Sequence, residues 1–148
     1  MNASDLPANR YCSIAQSLEV LGQKWTLLIL REAHRGRNRF ADFRAIGVPT
    51  DVLTDRLNLL VADGVLERQR YQDPGERARD MYVLTQAGQD LLPILASLAA
   101  WGDAHRPSEG TGLTKFFDAA GNDVTLSFVS GGTPVSVDDV HMEYAGQS

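Results

Sequence analysis

The chain has 148 residues, 43% of them hydrophobic and 22% charged, with a net charge of −5. These are ordinary globular proportions for one main domain with an extension. They leave no apolar run near the roughly 20 residues a membrane span needs, and a single cysteine excludes an internal disulfide or a cysteine zinc cluster. The three histidines are scattered without metal-ligand spacing, no cofactor motif is present, and the N-terminus does not resemble a signal peptide, so a cytoplasmic, membrane-free protein is expected. Residues 1–106 carry 13 Lys+Arg against 13 Asp+Glu, whereas residues 107–148 carry one lysine against six acids. The excess acid therefore sits in the tail. A neutral domain can still bind a polyanion when its basic groups share one face.

In chain order, Ser13 to Leu21 predicts a first helix, with Ile14, Leu18 and Leu21 at helical spacing and Gly22 ending it. Lys24 to Arg35 predicts a second helix, apolar over most of its girth from Trp25 to Leu30 and so expected at the centre of the core. Arg37 to Phe40 is a basic connector that can add one edge strand. Phe40 to Ile46 predicts a short third helix, and Gly47-Val48-Pro49 a turn.

Residues 49–63 predict the helix around which the chain is organised. Leu53, Leu57 and Leu60 share one stripe, with Asp51, Asp55 and Asn58 opposite. Thr50 is the expected N-cap and Gly64 the C-terminal stop. Val65 to Tyr71 and Met81 to Leu84 predict a hairpin, whose tip at 72–80 holds the turn Asp73-Pro74-Gly75 and carries Arg77 and Arg79. A helix followed at once by a basic-tipped hairpin is the order of a winged helix-turn-helix. A plain αββ unit with a solvated loop is the blander alternative.

Thr85 caps an expected long helix over 86–104. Its stripe of Leu91, Leu92, Leu95, Leu98 and Trp101 exceeds what one small domain covers. A homodimer through this helix and the first helix is expected; packing on the chain's own tail is the alternative. Pro93 should kink the helix or mark its first turn. Pro107 to Gly112 reads as a linker. Thr114 to Phe117, Val124 to Ser130 and Val140 to Tyr144 predict short strands of an acidic β extension over 107–148. The fold class expected is mainly α with a small β component (α+β).

With these elements placed, residues 10 to 105 resemble the HxlR family of winged-helix transcription regulators, relatives of the MarR group. The resemblance rests on Cys12, on Gly22-x-Lys24-Trp25-Thr26-Leu27-Leu28-Ile29-Leu30-Arg31, and on Arg39-Phe40-x-x-Phe43. It continues through Leu53-x-x-Arg56-Leu57-x-x-Leu60-x-x-Asp63-Gly64-x-Leu66-x-Arg68, Tyr82-x-Leu84-Thr85-x-x-Gly88, and Leu92-Pro93 to Trp101-Gly102. It implies a dimer binding operator DNA near promoters, and in some members a cysteine sensor at the start of the first helix. Asp51 and Asp55 depart from the family's basic recognition helix; Asp51 suits the positive end of the helix dipole. The acidic tail is a second departure.

The candidate DNA-binding residues are Thr50, Thr54 and Asn58 for base edges or phosphates, and Arg56, either for a phosphate or to brace the third helix through Asp42. Arg37 and Arg39 are candidates for phosphates, and Arg77 and Arg79 for the backbone or minor groove. Cys12 is a candidate redox sensor, against the plainer reading of a small core residue. A pocket for a small-molecule effector between the first helix, Trp25 and Trp101 is a further hypothesis. No catalytic constellation is present, and a protein–protein adaptor whose acidic helix face rejects DNA is the alternative function.

Overall fold

The computed structural model describes residues 2–109 and 114–143. The chain divides into two compact units, Met1–Leu95 and Ala96–Ser148. The first contains α1 (Ser13–Leu21), α2 (Lys24–His34), α3 (Phe40–Arg44), α4 (Thr50–Ala62), β1 (Leu66–Tyr71), β2 (Arg79–Leu84) and α5 (Gln86–Gln89). The sixth helix, α6 (Leu92–His105), starts in the first unit and runs into the second. The architecture is α+β, as expected.

The core draws on four helices, α1 contributing Leu21. Ile29, Leu30 and Ala33 of α2, Phe43 of α3, and Leu53, Leu57 and Leu60 of α4 are all buried, together with Val48, Val65, Leu66 and Tyr82. Phe43 meets Tyr82 edge-on, with ring centroids 6.3 Å apart, an arrangement that aromatic quadrupoles favour. The helix α2 is central but not apolar all round: Trp25 and Leu27 are half-buried, and Glu32 is fully buried at its C-terminal end. Burying a carboxylate is costly unless it is paired. Glu32 is met by Arg31 Nε at 2.9 Å, Arg35 Nη1 at 3.2 Å and Arg37 Nε at 3.7 Å, all three arginines remaining about half exposed.

The hairpin pairs Leu66 with Leu84 at its base and Tyr71 with Arg79 at its far end. The expected edge strand is a single bridge, Arg39 to Met81, reinforced by the Tyr82 N–H donating to Asn38 O at 2.8 Å. Two further expectations are corrected. Thr50 is not the N-cap of α4: Pro49 holds that position, and Thr50 is the first helical residue. Arg79 does not sit in the turn but opens β2, followed by Asp80, so the loop runs over 72–78 and is two residues shorter than expected.

The expected helix over 86–104 is two helices. Thr85 caps α5, its hydroxyl accepting the Gly88 N–H at 3.2 Å and donating to Val65 O at 3.1 Å. The chain then turns at Asp90 and Leu91, and α6 begins with Pro93 as its second residue. Proline has no N–H to give to Gln89 O, so it suits a first turn and not a helix interior. Docking of α5 depends on Gly88. A Cβ there would lie 2.3 Å from Val65 O and 2.9 Å from Leu84 Cδ2. Gly88→Ala is expected to destabilise the unit by about 1–3 kcal/mol, because backbone must move. Denaturant unfolding monitored by circular dichroism measures this, and an unchanged midpoint would show that α5 can shift freely.

The same segment sets a pH dependence. Half-buried His34 donates from Nε2 to Gly88 O at 3.1 Å. Burial pushes its pKa below the ordinary value, only partly opposed by that hydrogen bond. The unfolded chain therefore takes up a proton at higher pH than the folded one. His34 should cost stability as pH falls below the imidazole's ordinary pKa, the loss levelling off below the folded pKa. Thermal melts of the wild type and His34→Gln should diverge above that range and converge towards acid; parallel curves would remove His34 from the account.

The second unit contains most of α6, a turn at Asp118 and a minimal hairpin of β3 (Phe128–Ser130) and β4 (Thr133–Val135). The Asp118 carboxylate accepts the Ala120 and Asn122 N–H groups at 2.9 Å. These bonds, that from the Asn122 backbone foremost, lower its pKa. The expected strands shrink accordingly. Only Phe117 of Thr114 to Phe117 bridges, to Asp123; Val124 to Ser130 is strand only over its last three residues; and 140–143 are not strand, Tyr144 lying outside the described residues. The turn at Gly131-Gly132 folds Thr133–Val135 back as the partner strand instead. Among the described residues of this unit none is buried.

Candidate nucleic-acid interface

The helix-turn-helix is assembled from α3, the turn through Gly47 and Pro49, and α4. Gly47 adopts φ of 94°, a conformation disfavoured for other residues, and buried Val48 pins the turn to the core. With Leu53, Leu57 and Leu60 inward, α4 presents Thr50, Asp51, Thr54, Asp55 and Asn58 to solvent. The apolar spacing of the sequence thus matches the buried and exposed sides of α4. Asp51 lies in the first turn of α4, where the helix dipole favours an anion. Asp55 is paired with Arg56, Oδ2 to Nη1 at 3.6 Å.

The candidate contacts differ in how available they are. Thr50 is exposed, and the Thr54 hydroxyl donates to Thr50 O at 3.0 Å, which leaves its oxygen to accept. Asn58 accepts a hydrogen bond through Oδ1 from Arg68 Nη2, so its amide N–H₂ is the outward group. Arg68 also lies over the Tyr82 ring at 6.0 Å. Arg56 is mostly buried, and its Nε has no hydrogen-bond partner among the described residues. It does not brace α3 through Asp42, whose carboxylate instead accepts the Arg39 N–H at 3.0 Å.

Arg37 and Arg39 have intramolecular partners. Arg37 faces Glu32, and its N–H donates to Glu32 O at 3.1 Å. Because 37–39 run antiparallel to β2, Arg37 lies towards the base of the hairpin and Arg39 towards the tip. Arg39 holds Asp73 with two donors, at 3.0 and 3.4 Å, and its guanidinium stacks 4.2 Å from the Tyr71 ring centroid. The hydrogen bond to Asp73 is the main reason its pKa is raised. Arg77 and Arg79 are exposed, with no ion-pair partner among the described residues. Arg44, at the end of α3, is likewise exposed and unpaired; the sequence reading passed over it. Its signal was position, since it falls outside the Phe40, Phe43, Ile46 stripe.

Cys12 is the N-cap residue of α1, half-buried, and its carbonyl accepts the Gln16 N–H at 3.0 Å. Trp25 is half-buried under Lys24 Nζ at 4.8 Å. Trp101 is in the other unit, its ring tilted 41° to that of His105 with centroids 5.2 Å apart, and the Arg106 guanidinium lies 5.1 Å from its centroid. Among the described residues no His, Cys, Asp and Glu group suits a metal, and no helix is long and apolar enough to cross a membrane.

Two helices joined by a tight turn, with a two-stranded hairpin behind the second, define a winged helix-turn-helix protein. The chain belongs to the HxlR-like helix-turn-helix family, whose model matches residues 20–110. The HTH-type transcriptional regulator Rv3095 of Mycobacterium tuberculosis is 43% identical over 96 residues, 64% of this chain and 60% of that protein. The chain thus spans 60% of the length of this relative. Among solved structures, PA1607, described as a transcription factor, superposes with a TM-score of 0.74 and 28% identity over 90% of this chain and 94% of its own. The redox regulator HypR in its reduced form gives 0.55 and 29%, over 63% of this chain and 92% of its own. The family and these relatives are regulators, a class with no catalytic step.

Proposed function

We propose that the chain is a dimeric, DNA-binding transcription regulator acting in the cytoplasm as a repressor on a two-fold-symmetric operator. The observation that carries this reading is the solvent face of α4, Thr50, Thr54 and Asn58, in one unit with the unpaired arginines Arg44, Arg77 and Arg79. Hydroxyl and amide groups suit base edges, and unpaired guanidinium groups suit phosphates. Thr50, Thr54, Asn58, Arg77 and Arg79 keep their expected roles, and Arg44 joins them. Dimerisation through α1 and α6 is supported by the exposure of Ile14 and Leu18, and of Leu98 and Trp101. Repression is the simplest outcome of a dimer that occupies promoter DNA.

The signal we favour is oxidation or electrophile capture at Cys12. It stands at the N-cap of a nine-residue helix, and the similarity to HypR supports a redox input. An effector pocket at Trp25 or Trp101 is the second candidate. The test is selection of bound duplexes from a random DNA pool at physiological salt, with and without a thiol oxidant. Enrichment of a palindrome with half-sites about one helical turn apart is expected, lost on oxidation in the wild type but not in Cys12→Ser. No enrichment under either condition would overturn the reading in favour of an adaptor.

A further inference from the structure

The base of the hairpin is anchored by buried Leu66 opposite Leu84 and by the Thr85 hydroxyl on Val65 O. The tip has far less. Isolated two-stranded hairpins are marginal in water, and the residues that close this one are exposed or half-buried. Within the loop, Gln72 Nε2 donates to Glu76 O at 2.8 Å and the Glu76 N–H donates to Asp73 O at 3.0 Å, which shapes the turn but does not tie it to the body.

The tie to the body is Arg39. Its backbone is held where α3 begins, by the bridge to Met81 and the N–H bond to the Asp42 carboxylate. Its guanidinium reaches out to Asp73, the first residue of the turn, through two donors, and lies over the ring of Tyr71, the last residue of β1. Both partners are nearly half exposed, so the pair adds little to global stability. Its effect is directional. A planar fork on a carboxylate, backed by an aromatic face, fixes orientation in a way a lysine cannot.

We propose that Arg39 and Asp73 form a latch setting the angle of the wing on the helix-turn-helix, so that Arg39 is a positioning residue for Arg77 and not itself a phosphate ligand. This rests on the DNA-binding reading above. It assigns the arginine that sequence alone offers as a phosphate contact to the presentation of another. It also gives Asp73, an acid at a surface meant for a polyanion, a reason to be there.

The test uses the full chain, a mixed-sequence DNA duplex and a double-mutant cycle. Arg39→Lys and Asp73→Asn are each combined with Arg77→Ala, and duplex affinity is measured across salt; amide hydrogen exchange is followed over 71–79. In the wild-type background, removing one phosphate contact weakens binding roughly fivefold near physiological salt. In either latch variant, Arg77→Ala is expected to cost less than about twofold, and exchange over 71–79 to rise while that of α4 stays unchanged. If instead Asp73→Asn tightens binding and the Arg77→Ala effect is undiminished, Arg39 is a phosphate ligand held in check by Asp73 and the latch is wrong. Unchanged exchange over 71–79 overturns it as well. Failure of the wild-type chain to bind any duplex overturns the DNA reading itself, a result distinguishable from all of these.

Discussion

Leu57→Ala is expected to cost the first unit about 2–5 kcal/mol, the range for truncating a fully buried leucine. Leu57 is fully buried near the middle of α4, with Leu53 one turn before it and Leu60 after it. The core it joins also receives Phe43 from α3 and Ile29 and Leu30 from α2. Alanine would remove the side-chain atoms that fill this junction, and three converging helices cannot all collapse into the space. The control is Leu59, on the same helix but 45% exposed. Leu59→Ala should stay within about 0.5 kcal/mol, as surface changes do. Urea unfolding of both variants decides the matter. A loss below about 1 kcal/mol at Leu57 would mean that α4 is not held by this stripe, and its reading face would lose its fixed orientation.

Removing Arg44, Arg77 and Arg79 together is expected to weaken duplex binding roughly a hundredfold near physiological salt while leaving the fold intact. Each phosphate contact contributes about 0.9 to the slope of log affinity against log salt, so three lost contacts compound to that size. The salt series carries more information than affinity alone. The slope should become shallower by about 1 per arginine, whatever duplex is used. An unchanged slope with weaker binding would show that these arginines act through something other than phosphate. An unchanged affinity would leave the hydroxyl and amide groups of α4 without the electrostatic support proposed for them.

Much of the winged helix is legible in the sequence because it is encoded locally. The limits of α1, the buried stripe of α4, the presence of the hairpin and the turn at Gly47 follow from apolar spacing and from glycine and proline punctuation within a few residues. Cross-chain pairing is not encoded that way. The Arg39–Asp73 contact joins residues 34 apart and Arg68–Asn58 residues 10 apart. Nothing in either neighbourhood announces its partner. Thus Arg39 and Arg37 read as loose surface cations, although one holds the wing tip and the other faces a buried glutamate. The split between α5 and α6 lies between these cases. Pro93 signals a first turn, but the close approach of Gly88 to Val65 O, which seats α5, is tertiary. The β extension is the least legible part. Its strands are three residues long and none of its described residues is buried, so periodicity has little to record.

Glu32 carries a consequence for how this protein tolerates sequence drift. One carboxylate serves three arginines, from two positions on α2 or beside its end and one on the following connector. Such a hub with three spokes is asymmetric under change. Losing any one arginine leaves the carboxylate two partners, so substitutions at 31, 35 or 37 buffer one another. Losing the glutamate strands three like charges around a vacated site, and no single replacement elsewhere repairs that. In a library of variants scored for folded protein, position 32 should therefore be nearly fixed, while the three arginine positions vary one at a time but seldom together.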